Sequence, residues 1–81
     1  MKALTKAIRR GREYAKASRG ILELDAKGSR NREWRGERLV LELRESVAHE
    51  RFVEAFESLS VEDCDQLSDA LGEDSFVIDG L

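Results

Sequence analysis

At 100° per residue, Ala3, Leu4, Ala7, Ile8, Gly11, Tyr14, Ala15 and Ser18 fall on one arc of a helix, with Lys2, Lys6, Arg9, Arg12, Lys16 and Arg19 on the other. The split predicts an amphipathic helix over residues 2–19. Gly20 suits the left-handed residue that closes a helix, and Ile21 beyond it supplies the accompanying apolar contact. The inward arc is mostly small. Ala7, Gly11 and Ala15 stand at i, i+4 and i+8, so another element can approach closely there, at a cost in helix propensity for Gly11.

The rhythm then changes. Ile21 to Lys27 alternates, with Leu22, Leu24 and Ala26 on one side and Glu23, Asp25 and Lys27 opposite. Arg38 to Arg44 does the same, with Leu39, Leu41 and Leu43 against Arg38, Val40, Glu42 and Arg44. Period two is the mark of a half-buried strand. The polar, glycine-bracketed stretch 28–36 between them reads as a loop or an irregular hairpin end. The competing reading is one long helix from about Arg32 to Ser58, which the abundance of Leu, Glu and Arg favours. Against it, Val40, Leu43 and Val47 share a face nearly opposite Phe52, Val53, Phe56 and Leu59. A straight helix would be apolar on both sides, and a small domain rarely buries both. The split therefore favours a strand to about Arg44 and a helix over 47–58.

Ser60 makes a good N-cap, with Asp63 three residues on approximating a capping box. The helix that follows, over about 61–71, buries Val61, Cys64, Leu67 and Leu71, and Gly72 ends it. Phe76-Val77-Ile78 reads as a short strand. The expected fold is α+β: an N-terminal amphipathic helix, a two-stranded antiparallel sheet with a third short C-terminal strand as an option, and two further helices. The alternative is an all-α three-helix domain with a long middle helix. With 81 residues and no internal repeat, the chain reads as a single small domain over 1–81.

Composition narrows the class. The longest apolar runs are three residues, so nothing can span a bilayer, and Arg9 and Arg10 interrupt the place of a secretory apolar segment. An acid-poor, Arg-bearing start also resembles a transit peptide, but its small apolar arc is better suited to packing. The lone cysteine, Cys64, fits a reducing cytoplasm. Charge is the most informative property. The net −3 conceals +6 over residues 1–20, zero over 21–51 and −9 over 52–81.

Catalytic chemistry is thinly supplied. His49 is the only histidine, and with Glu45 four residues before it offers two groups to a metal, short of a zinc spacing. Cys64 on an apolar face reads as inert packing. No phosphate-cradling glycine loop or nucleophile elbow is present. Neither a catalytic site, a metal site nor a cofactor is expected, and an enzyme is the least supported class.

Two charged surfaces remain as candidates. Arg9, Arg12, Lys16 and Arg19 step along one helix face at a pitch that suits successive phosphates, and Arg32 and Arg35 flank Trp34 in the segment Arg30–Arg35, where an unpaired base could stack. Glu62, Asp65, Asp69 and Glu73 form the acidic counterpart. That acidic face has three uses open to it: docking on a basic partner protein, pairing with the basic helix of a second copy in a homodimer, or folding back on its own basic helix. The leading expectation is a small non-enzymatic interaction protein that binds or inhibits another macromolecule, in the manner of inhibitors and adaptors of mobile genetic elements. This is an analogy of size and charge. Trp34 is the best anchor for a protein partner, or else a lid on the core. The alternative is a nucleic-acid-binding regulator that uses the helix 2–19 and the Arg30–Arg35 loop.

Overall fold

The computed structural model describes residues 2–28 and 32–81, and among these every regular element is helical. Helix α1 spans Ala3–Ala26, α2 Arg32–Glu57 and α3 Val61–Leu71; a 3₁₀ turn over Gly72–Ser75 leads into a single-turn helix α4, Phe76–Asp79. The α+β expectation is thus overturned in favour of the three-helix alternative. Residues 21–26 extend α1, residues 38–44 lie inside α2, and Phe76–Ile78 coils instead of extending.

The physical reason lies in which leucines face inward. In α1, Ile21 and Leu24 are buried at i, i+3 while Leu22 is 65% exposed. In α2, Leu41 is half-buried while Leu39 and Leu43 point to solvent. The alternation in sequence is therefore a helical seam with extra leucines on its outside. No proline breaks either segment, and Leu, Glu, Lys and Arg are good helix formers, so the local preference runs with the helix. The apolar conflict on α2 is real and is left unresolved by the fold: the inward face is used and Val40, Leu43 and Val47 stay exposed.

The stops follow backbone chemistry. Gly20, expected to close α1, sits within it, and a Cβ there would meet Leu41 Cδ2 at an ordinary 3.6 Å. The true stop is Gly28, at φ 73°, just past the C-cap Lys27. The expected boundaries of α3 hold. Ser60 Oγ accepts from the Asp63 N–H at 3.2 Å, and Gly72, at φ 54°, ends the helix. Of the expected loop, residues 29–31 lie outside the described residues, and Arg32 to Gly36 belong to α2.

Helices α1 and α2 form an antiparallel hairpin: Asp25 meets Arg38, Ser18 meets Glu45, and Tyr14 meets His49. Each runs about 36–39 Å, whereas α3 is only about 17 Å long. Accordingly α3 and α4 cover one end of the hairpin, and the molecule is elongated, 46 × 20 × 18 Å. The core lies at that covered end. Ala7, Ala15, Phe52, Ala55, Leu67, Leu71 and Val77 form one buried cluster, edged by Leu4, Ile8, Tyr14, Phe56, Leu59 and Ile78. The small face of α1 does what its sequence suggested. A Cβ on Gly11 would stand 3.1 Å from both Phe52 Cε1 and Leu71 Cδ2, so the absent side chain is the space those two residues occupy.

Three substitutions separate these effects in urea unfolding. Gly11→Val forces branched atoms against Phe52 and Leu71 and is expected to destabilise by about 1–3 kcal/mol. Phe52→Ala empties the centre of the core and should cost about 3–5 kcal/mol. Gly20→Ala, in ordinary contact within a helix interior, is expected to stabilise by about 0.8–1 kcal/mol; a loss there would contradict an unbroken α1.

Candidate surface: the charged faces of α1 and α3

The four cations of α1 do not form one free row. Arg12 and Arg19 sit on the edge of α1 nearest the end of α3 and reach across to it. Arg12 Nη2 donates to the carbonyl of Ala70 at 3.3 Å. Arg19 Nη2 donates to the carbonyl of Glu73 at 3.4 Å, its Nη1 pairs with the Asp74 carboxylate, and its guanidinium lies 5.5 Å from the centroid of the Phe76 ring. The last turn of α3 carries no basic residue of its own. The two arginines therefore supply, from another helix, the positive charge and the donors that a helix C-terminus and its trailing carbonyls require. Arg9 and Lys16 are exposed and, among the described residues, take part in no ion pair, as is true of Lys2 and Lys6.

The acidic residues behave differently. Glu62, Asp65 and Asp69 lie at i, i+3 and i+7 on α3, with Glu73 just beyond its end, and all four are exposed. Glu62 also sits in the first turn of α3, where a negative charge complements the helix dipole. Among the described residues, no lysine or arginine pairs with any of the four carboxylates. The acid that meets the basic helix is Asp74, which the sequence reading did not single out. In sequence, an aspartate two residues past a glycine stop looks like any solvated acid.

Arg32 and Arg35 are exposed on the first turn of α2 and not in a loop, while Arg30 lies outside the described residues. Trp34, beside them, is half-buried, and the Arg38 guanidinium stands 5.8 Å from the centroid of its indole. Arg38 is itself shared between Asp25 at 3.3 Å and Glu42 at 2.9 Å. The segment is thus a packed helix start in which the tryptophan joins a charged network at the hairpin tip. An aromatic held in this way is not splayed toward solvent for stacking.

Glu45 and His49 both face α1. Ser18 Oγ donates to Glu45 Oε2 at 2.9 Å, and the His49 ring packs edge-on against Tyr14 with centroids 5.1 Å apart. No three His, Cys, Asp or Glu side chains gather into a metal site among the described residues. Cys64 is half-buried. No described helix is long and apolar enough to cross a membrane. No protein-family model matches this chain, and no curated protein or solved structure matches it either.

Burial, and secondarily the Glu45 carboxylate, raise the Tyr14 phenol above its ordinary 10.0, with a Ser18 hydrogen bond acting in the opposite direction. The neutral phenol is the form that the fold favours. Its contribution to stability is therefore complete below pH 10 and is lost as pH rises through the folded value. Absorbance titration of this sole tyrosine should show phenolate appearing above pH 10.0, and Glu45→Gln should bring the midpoint part of the way back.

The two classes of arginine are separable by stability. Arg19→Ala removes a half-exposed ion pair and a cation–aromatic contact and should cost about 1–2 kcal/mol in urea unfolding. Arg9→Ala, on the free face, should stay within about 0.5 kcal/mol of the parent. Equal costs would contradict the division.

Proposed function

We propose that this chain is a small helical interaction protein that docks the acidic face of α3 on a basic surface of another protein. The observation that carries the reading is the unequal fate of the two charged surfaces. Arg12 and Arg19 are spent on the end of α3, whereas Glu62, Asp65, Asp69 and Glu73 are exposed with no intramolecular cation on their carboxylates. Like charges at helical spacing repel one another, and a basic partner relieves that repulsion while speeding encounter. Such a surface suits an inhibitor that occupies a site otherwise used by a polyanion. The reading puts the protein in the cytoplasm, the compartment that suits a lone thiol.

The nucleic-acid reading loses two of the four stepped cations of α1 and the free aromatic it needed. What is left is Lys2, Lys6, Arg9 and Lys16 on α1, a solvated helix face of ordinary kind, with Arg32 and Arg35 apart from them on the first turn of α2.

The test is a capture from nuclease-treated lysate in parallel with Asp65→Lys/Asp69→Lys. A stoichiometric protein held by the parent, released by added salt and lost with the double reversal is the expected result. The far-UV spectrum should be unchanged, because both sites are exposed. Retention of the same protein by the reversed variant, or recovery that depends on nucleic acid, would overturn the reading.

A further inference from the structure

We propose that two copies of this chain pair through the outward face of α2, antiparallel and centred on Leu43. On a helix turning 100° per residue, Arg32, Gly36, Leu39, Val40, Leu43, Val47, Glu50, Glu54 and Glu57 share an arc of about 100°. This arc is turned away from α1. Its four bulky members are all open: Leu39 is 61% exposed, Leu43 67%, Val40 48% and Val47 46%. No core requirement accounts for them, since the inward face of the same helix already supplies Ala48, Phe52 and Ala55. Shallow grooves run beside the stripe, lined in part by Gly36, Val40 and Leu41 and by Leu43, Val47 and Ala48. Ridges beside grooves on one surface suit interdigitation with a like surface.

The order of charges along the stripe selects the occupant. It begins at Arg32 and ends at Glu50, Glu54 and Glu57. A two-fold axis at Leu43 sets Leu43 against its own copy once, and sets Leu39 opposite Val47 of the partner subunit and Arg32 opposite Glu54 of the partner subunit twice each. Gly36 falls opposite Glu50 of the partner subunit, where a missing side chain leaves room. In the parallel arrangement every one of these charges would face itself. The stripe is therefore self-complementary under the symmetry that closed dimers use.

The area suffices. The four apolar side chains offer roughly 400 Å² per copy, and with the flanking charged side chains along the helix two copies reach the ~1,000 Å² in total that a specific interface needs. A membrane surface suits the stripe poorly, because the glutamates at its end would face anionic lipid.

Sedimentation equilibrium of the 81-residue protein is expected to give twice the chain mass of 9.2 kDa. Leu43→Glu should return the monomer mass with an unchanged far-UV spectrum, since the side chain it replaces is outside the core. Arg32→Glu and Glu54→Arg should each weaken the dimer severalfold, and the two together should restore it. Asp65→Lys/Asp69→Lys should remain dimeric, so this inference and the docking of the acidic face fail independently. A monomer at millimolar concentration, or a dimer indifferent to Leu43→Glu, would overturn the proposal. A double exchange that fails to restore association would overturn the antiparallel register.

Discussion

The three helices meet over the missing side chain at Gly11. Phe52 from α2 and Leu71 from the end of α3 meet in that space, and Ala7 and Ala15 on either side are fully buried. A chain of this size has little core to spare, so one close approach has to bring three helices together. It also decides where the hairpin is covered and where it is not. With α3 spanning about half the length of α1, the covered end becomes the core and the other half remains a two-helix arm.

The charge distribution follows from the same arrangement. Seating Leu71 on α1 brings the open carbonyls at the end of α3 beside the arginines of the first helix. Arg12 and Arg19 turn to Ala70, Glu73 and Asp74, and the strongest positive feature of the sequence becomes partly structural. Glu62, Asp65 and Asp69 of α3 stay exposed and meet no cation among the described residues. A +6/−9 polarity in sequence thus becomes, in space, one stapled junction, a reduced basic face and an intact acidic one.

The ends of α3, the small face of α1 and the exposure of the acidic residues were all legible in the sequence, because each rests on local rules: a serine N-cap, glycine stops and helical spacing. The middle of the chain was misread for a physical reason. Leu22, Leu24, Leu39, Leu41 and Leu43 alternate as a strand would, but three of the five are exposed, and a pattern rule counts every leucine as inward. Helix propensity pointed the right way and was outweighed by the premise that both apolar faces of α2 need cover within one chain. Val40, Leu43 and Val47 show that they do not. The roles of Arg12 and Arg19 were beyond reach, since nothing in the sequence tells that residues 58 and 54 positions apart meet.

Among the described residues the acidic face carries no intramolecular cation, whereas Arg12 and Arg19 of the basic helix are engaged at the end of α3. Amide chemical-shift mapping of the labelled protein against a short Lys/Arg-rich peptide and, in parallel, a DNA duplex at physiological salt tests the proposed use of that contrast most directly. Saturable shifts are expected at Glu62, Asp65, Asp69 and Glu73 with the peptide, and none along Lys6 to Arg19 with the duplex. Saturable duplex shifts at Arg9, Arg12, Lys16 and Arg19, with the α3 amides unmoved by the peptide, would contradict it.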